Sequence, residues 1–335
     1  MVGPATIKKK QIFIQHEFEK LEFLSPSALR NLRSARGLCA ADRSFPSGAW
    51  MIAAMKTLLA WMLLASAALL AGCATLDERQ RQWIFQPSDR SWGRGEEAAR
   101  GMEDVWINFR SAETGQPVRL HGLWSPHERF AADARAPVLL YLHGARFNVL
   151  GSALRARRMQ ELGFSVLVID YRGFGKSSHT LPSESLAYED ARAAWDWLGR
   201  QHPERPRFIF GHSLGGAIAI ELAAQVPDEA GTLVEGTFTS IPDVVASYKW
   251  GWLPVGPLIT QRFDAVRRVP QIGSPLLVVH GSEDRTIQPE LGRSLFEAAT
   301  GPKRFELVEG GSHHNTNAVG QPQYRLALAE LFGLR

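Results

Sequence analysis

A serine enclosed by glycines, Gly211-His212-Ser213-Leu214-Gly215, ends an apolar run and opens a small-residue apolar stretch, Gly216-Ala217-Ile218-Ala219-Ile220. A serine hydroxyl becomes an effective nucleophile only when an imidazole takes its proton and a carboxylate holds that imidazole in the right tautomer. Gly-x-Ser-x-Gly between a strand and a helix supplies a sharp turn that exposes the hydroxyl. Gly211 and Gly215 remove the Cβ atoms that such a turn cannot accommodate. The helix N-terminus beneath Ser213 puts partial positive charge where an oxyanion would form. The partners required are an acid and then a histidine, each just past a strand end. Asp284, in His280-Gly281-Ser282-Glu283-Asp284, follows the apolar run over 276–279. A further strand is expected over 305–308, and Glu309-Gly310-Gly311-Ser312-His313-His314-Asn315 after it offers two adjacent imidazoles.

The elements that must position these groups are short apolar runs separated by helical stretches. Runs over 138–142, 166–169, 208–210, 232–234 and 276–279 are continuously apolar, as strands buried on both faces are. Helices are expected over 150–162, 186–200, 214–225, 289–299 and 323–332. Such alternation predicts an α/β fold with a mostly parallel central sheet flanked by helices, its site beyond the C-terminal strand ends. Upstream, Trp106-Ile107-Asn108-Phe109 and the alternating stretch over 118–124 flank Gly115, the pattern of an antiparallel hairpin. Between Ser240 and Arg268 the alternation lapses into an aromatic, Pro/Gly-broken segment. Residues 240–268 read either as a small cap insertion over the site or as a core-packed connector. As a cap, they would offer Trp250 and Trp252 to an apolar acyl or aromatic substrate.

These motifs together resemble the α/β-hydrolase superfamily, most closely its membrane-associated serine hydrolases of the α/β-hydrolase-domain type. The resemblance runs over some 220 residues from about Val118. It rests on Leu142-His143-Gly144, Asp170-Tyr171-Arg172-Gly173-Phe174-Gly175-Lys176-Ser177, Gly211–Gly215, and His280–Asp284 with the Gly-x-Ser-His end. The chain order Ser…Asp…His is the one expected of that fold, unlike the chymotrypsin-like and subtilisin-like orders. The resemblance implies Ser213 as nucleophile, Asp284 as acid and His313 as base. The glycine-rich approach favours His313 over His314. Glu235 is a rival acid, because some relatives carry the acid on that earlier strand, whereas Glu283 is expected in solvent. One oxyanion donor is the N–H of the residue after the serine, Leu214. The second should follow His143-Gly144, which makes Ala145 the candidate. Gly144-Ala145-Arg146 replaces the glycine run of lipase-type chains and argues against bulky tertiary-alcohol esters. Arg146 reads as a contact for an anionic group or, with more weight, as a member of a surface ion pair.

Asp170 and Asp190 read as structural. His121, His127, His179, His202 and His212 lack ligand spacing, so no metal and no cofactor is expected. The glycine-rich turn at 173–177 lacks the spacing of a phosphate loop.

The chain has 335 residues, 45% hydrophobic and 21% charged, with a formal net charge of +4. Its start changes how that charge is read. Met55-Lys56-Thr57 precedes an apolar run over 58–70 that closes in Leu70-Ala71-Gly72-Cys73, a short basic start followed by an apolar core and small residues. These last four resemble a bacterial lipobox, which implies removal of the signal over 55–72 and lipidation of Cys73. The run itself is shorter than the ~20 residues of a comfortable transmembrane helix. Residues 1–54, unusual ahead of an export signal, read as an upstream extension that is not native or is disordered. Setting aside their eight Lys/Arg and four Asp/Glu, together with Lys56, leaves 29 basic and 30 acidic residues from Cys73 onward. A net charge of about −1 gives no electrostatic support to a nucleic-acid partner. The only cysteines, Cys39 and Cys73, leave none after residue 73 for a disulfide or a thiolate metal site.

The expected organisation is a lipidated N-terminus and tether over 73–100, then an α/β-hydrolase domain over 101–335. The function expected is cleavage of carboxylic esters, of a small molecule or a lipid, by a periplasm-facing enzyme held to the membrane through Cys73. Ala74 rather than Asp after the cysteine is what outer-membrane sorting leads one to expect. Fatty-acyl thioesterase, lipase or peptidase activity is the alternative within the class. A non-catalytic envelope binding module is the alternative outside it. Oligomeric state is not legible.

Overall fold

The computed structural model of the protein describes residues 48–88, 94–127, 136–146, 148–248 and 251–334. Most of the expected extension over 1–54, with Cys39, lies outside these, as does Trp250. The chain divides into two units, Met1–Ala65 and Ser66–Arg335. The described part of the first is helical, the beginning of α1 (Gly48–Phe85). Within α1 the stretch Met55–Phe85 is long and apolar enough to cross a membrane by length and composition, with mean hydropathy 2.0 over its most apolar part. An export signal passes the same test. The apolar run over 58–70 is short for a span, but the helix that carries it is not.

In the second unit eight strands form one sheet in the order β1-β2-β4-β3-β5-β6-β7-β8. They are β1 (Glu103–Arg110), β2 (Pro117–Ser125), β3 (Val138–Leu142), β4 (Ser165–Ile169), β5 (Arg207–His212), β6 (Gly231–Glu235), β7 (Leu276–Gly281) and β8 (Lys303–Val308). Strand β2 is antiparallel to β1 and to β4, and every other neighbouring pair is parallel. The β1–β2 turn holds Gly115 at φ +69°, a left-handed conformation that glycine adopts at no steric cost. Helix α2 (Gly95–Ala99) precedes β1; between the strands run α3 (Val149–Glu161), α4 (Glu184–Gln201), α5 (Leu214–Ala223), α6 (Ile241–Ser247), α7 (Ala265–Arg268) and α8 (Pro289–Ala298); α9 (Thr316–Val319) and α10 (Gln321–Phe332) follow β8.

Strand β3 explains why the runs are continuous. All five of its residues are buried, and they alternate between two cores. Val138, Leu140 and Leu142 join the core that holds Trp195 of α4 and Ile218 of α5, while Leu139 and Tyr141 join that of Met159 of α3 and Tyr324 of α10. A strand covered on both faces has no polar face to show.

Part of the stretch expected as a tether over 73–100 packs on the domain. From Asp77 the helix lies on the domain. Asp77 Oδ1 accepts hydrogen bonds from Thr260 Oγ1 (2.7 Å) and Gln261 Nε2 (2.8 Å), and Gln80 Nε2 donates to the Leu258 carbonyl at 2.7 Å. Arg81 donates to the carbonyls of Leu181 and Pro182. Phe85 is fully buried against Phe263, with ring centroids 5.7 Å apart, and against Phe174 at 6.5 Å. Polar side chains here pair with both side-chain and main-chain groups of distant loops. Further on, Arg157 of α3 donates to the carbonyls of Ala98 (3.0 Å) and Arg100 (2.6 Å).

Residues 240–268 are anchored at both ends. Ile241 and Val244 of α6, then Phe263, Ala265 and Val269, enter the core, and the Arg262 and Phe263 amides donate to the Glu184 carboxylate. Between these anchors the chain reaches the surface, where Trp252 is 73% exposed. The segment is a core-packed connector with an exposed centre.

Candidate active site

Strand β5 ends at His212 and α5 begins at Leu214, so Ser213 alone makes the turn, at φ 57° and ψ −123°. A non-glycine residue at positive φ is strained, and such strain persists where the surroundings over-determine it. Here the Ser213 N–H donates to the Glu235 carbonyl at 2.9 Å, and the Ser213 carbonyl accepts from Gly216 at 2.9 Å. A Cβ at Gly211 would run into the Gly215 carbonyl, and one at Gly215 into the Leu142 carbonyl. The turn closes only because those positions lack side chains.

The structure brings Ser213, His313 and Asp284 together. His313 Nε2 lies 2.9 Å from Ser213 Oγ, and its Nδ1 lies 2.7 Å from Asp284 Oδ2. An ionised carboxylate only accepts, so Nδ1 carries the proton and Nε2 is bare toward the serine hydroxyl. Asp284 Oδ1 accepts from the amides of Thr286 (2.8 Å) and Ile287 (2.9 Å), which fixes the plane of the carboxylate. Burial alone would raise its pKa. The imidazoles of His280 and His313, together with the Ile287 amide, outweigh that and hold Asp284 well below the usual carboxylate range. It is charged wherever the protein is folded near neutrality.

Of the rival acids, Glu235 is buried under other partners. Its carboxylate receives Arg155 Nε at 3.0 Å and the Tyr324 hydroxyl. Glu283 is exposed. His314 is exposed, its ring edge-on to that of His313 with centroids 5.4 Å apart. Partial desolvation, then the neighbouring His313, lowers its pKa. Asp170 Oδ1 accepts the Val149 amide at the start of α3 (2.8 Å), and Asp190 receives the Arg172 guanidinium (2.8 Å).

Around the hydroxyl, Leu214 opens α5 and its N–H belongs to the unpaired first turn. Gly144 lies on the other side, where a Cβ would stand 3.0 Å from Ser213 Cβ. That close approach brings the 144–146 loop, and Ala145 with it, against the serine. Arg146 sits at φ +70°, its N–H donating to the Phe85 carbonyl at 3.0 Å and its Nε to Gln86 Oε1 at 2.7 Å. Arg146 therefore joins a hydrogen bond to the end of α1 rather than the ion pair expected from sequence. Neither Phe85 nor Gln86 was among the expected site residues. Their only signal is the apolar Trp83-Ile84-Phe85 within a polar stretch. His212 was also passed over, because its partner is the main-chain carbonyl of His313, 2.9 Å from Nε2. Among the described residues no group of three or more His, Cys, Asp or Glu side chains could hold a metal ion. Chemically, the arrangement can deprotonate a serine and return the proton to a leaving group, with the unpaired first turn of α5 beside the hydroxyl.

A family model described as serine aminopeptidase, S33, matches residues 133–255. An uncharacterized protein of Mycobacterium tuberculosis is 33% identical over 239 residues, which cover 71% of this chain and 81% of that protein. Lysophosphatidylserine lipase ABHD12 of Rattus norvegicus is 30% identical over 195 residues, 52% of this chain and 48% of its own. Among solved structures, the Pyrococcus furiosus esterase Pf2001 superposes with a TM-score of 0.58 at 18% identity, covering 75% of this chain and 97% of that one. With the sheet order, the serine turn and these relatives in view, the chain belongs to the α/β-hydrolase superfamily of serine hydrolases.

Proposed function

We propose that the protein is a serine esterase that works through an acyl-enzyme on Ser213. His313 Nε2 takes the hydroxyl proton as Oγ attacks the ester carbonyl, and the N–H groups of Leu214 and Ala145 hold the resulting oxyanion. His313 then returns the proton to the departing alcohol, and water, deprotonated by the same nitrogen, releases the acid. Asp284 keeps the proton on Nδ1 throughout. The observation that carries this reading is the unbroken contact from Asp284 Oδ2 to His313 (2.7 Å) and from His313 to Ser213 Oγ (2.9 Å). Similarity to a lysophosphatidylserine lipase over 48% of that protein's length supports an acyl ester of a lipid as the second reading. The same proposal anchors the enzyme to a bacterial envelope, facing the periplasm, by a lipid on Cys73, which is exposed on α1. The test is hydrolysis of p-nitrophenyl esters of increasing acyl length, beside Ser213→Ala. A chain-length optimum that vanishes in the variant supports the proposal, with a short optimum favouring small esters and a long one lipids. Turnover that survives the substitution overturns it.

A further inference from the structure

Behind the serine and its base lies a buried cluster that the proposed chemistry does not use. His212, 2% exposed at the end of β5, points Nε2 at the His313 carbonyl, 2.9 Å away. A carbonyl only accepts, so Nε2 carries the proton and His212 donates. Burial and the nearby Arg155 hold its pKa well below the usual imidazole value, consistent with a neutral ring and a single N–H. Arg155 of α3 extends Nη2 to the carbonyl of the next residue, His314, at 3.3 Å, and Nε to Glu235 at 3.0 Å. Glu235 itself closes the loop. Its carboxylate is held by Arg155 and by the Tyr324 hydroxyl, and its main-chain carbonyl accepts the Ser213 N–H at 2.9 Å.

One buried carboxylate residue therefore connects the turn that carries the nucleophile to the loop that carries the base. Before the base the loop is tied at Gly311, whose carbonyl accepts the Glu283 N–H (2.8 Å), and at Ser312, whose carbonyl accepts the Thr316 N–H (3.1 Å). At the base itself the carbonyls are held by two donors, His212 on His313 and Arg155 on His314. Asp284 fixes the ring of His313 but not its main chain. Without the two donors, the peptide groups of His313 and His314 lose their own ties, and the ring is placed only by Asp284 and by the neighbouring turn at Ser312. Proton transfer between Oγ and Nε2 requires their separation within a few tenths of an ångström, and a 1 Å misplacement can cost ~10²-fold in rate.

We infer that His212 and Arg155 are positioning residues for the proton transfer, setting the Ser213–His313 separation by clamping the carbonyls of His313 and His314. The inference rests on the serine-esterase reading. Neither residue needs to touch substrate, so their loss lowers kcat and leaves KM nearly unchanged.

The discriminating comparison is between two amides at position 212. In His212→Gln the carboxamide nitrogen reaches the place of Nε2 and still donates to the His313 carbonyl. In His212→Asn it reaches only the place of Nδ1 and falls short. Both are measured in the full chain by p-nitrophenyl ester kinetics and by the rate of fluorophosphonate labelling, with thermal melting as a control on the fold. The expected result is His212→Gln within a few-fold of wild type and His212→Asn down ~10- to 100-fold in kcat and labelling rate, at unchanged KM. Arg155→Lys, which retains a charge for Glu235 but cannot span to His314, should lower kcat by ~10-fold in the same way. If His212→Asn and Arg155→Lys both react at the wild-type rate while wild type labels normally, the clamp is refuted and the esterase reading stands. If wild type itself is inert to the probe, the esterase reading fails and the clamp fails with it.

Discussion

The end of α1 provides the sharpest quantitative test of how this domain is built. Phe85 is fully buried, edge-on to Phe263 at 5.7 Å and tilted against Phe174 at 6.5 Å. Truncating a buried phenylalanine to alanine costs about 3–5 kcal/mol, and loss of aromatic pairs worth ~0.5–1.5 kcal/mol each keeps Phe85→Ala within that range. At about 2–4 °C per kcal/mol for a domain of this size, melting should fall by roughly 10 °C. A second effect should accompany it. The Phe85 carbonyl accepts the Arg146 N–H at 3.0 Å, and Arg146 sits at φ +70° beside Ala145. Undocking the helix end releases that loop, so kcat for a p-nitrophenyl ester should fall more than KM rises. Gln86→Leu, which removes only the side-chain bond to Arg146 Nε, should lower kcat by a smaller factor without moving the melt. The assay is a thermal melt beside ester kinetics on the same preparations. An unchanged melting temperature and unchanged kcat in Phe85→Ala would refute the docked helix and restore the free tether that composition suggests.

Four further outcomes are expected. Asp284→Asn preserves the shape of the site but favours the wrong imidazole tautomer, so kcat should fall ~10⁴-fold with KM little changed, measured by the same ester assay. Because the folded-state pKa of Asp284 is depressed, its contribution to stability is fully present above the unfolded value of about 3.9 and is lost as pH falls below it. The melting difference between wild type and Asp284→Asn should therefore be constant from about pH 5 upward and shrink as pH drops below about 4. Glu235→Gln leaves Arg155 buried without its counter-charge, which should cost ~3–5 kcal/mol by denaturant titration, a stability defect larger than that of Asp284→Asn. Cys73→Ser should abolish incorporation of radiolabelled palmitate in a bacterial host and move the protein out of the membrane fraction.

Much of the sheet was legible because strands β3 to β7 are covered on both faces, so each appears as an unbroken apolar run. Glu235 stood out for the opposite reason, as a charge at the end of such a run. The turn at Ser213 was legible because its glycines answer local steric demands, and Asp284 and the His313-His314 pair because each follows a strand end; only the family resemblance favoured His313 over His314. What stayed hidden depends on partners far along the chain. Asp77, Gln80 and Arg81 look like a solvated tether, yet they bind side-chain and main-chain groups 100 or more residues away. His212 has no ligand spacing because its partner is a carbonyl 101 residues on. Main-chain acceptors have no residue type, so no sequence pattern announces them. The segment over 240–268 was undecided for a related reason. Its aromatics suit either a core or a surface, and the structure divides them, burying Phe263 and exposing Trp252.

The central claim is that Ser213 is an activated nucleophile, and the most direct test is covalent. Wild-type protein and Ser213→Ala are exposed to a fluorophosphonate probe at neutral pH, and the adduct is located by peptide mass spectrometry. The account predicts a single adduct on the peptide containing Ser213 and none in the variant. Folded wild-type protein that takes up no probe, or an adduct that persists in Ser213→Ala, would contradict it.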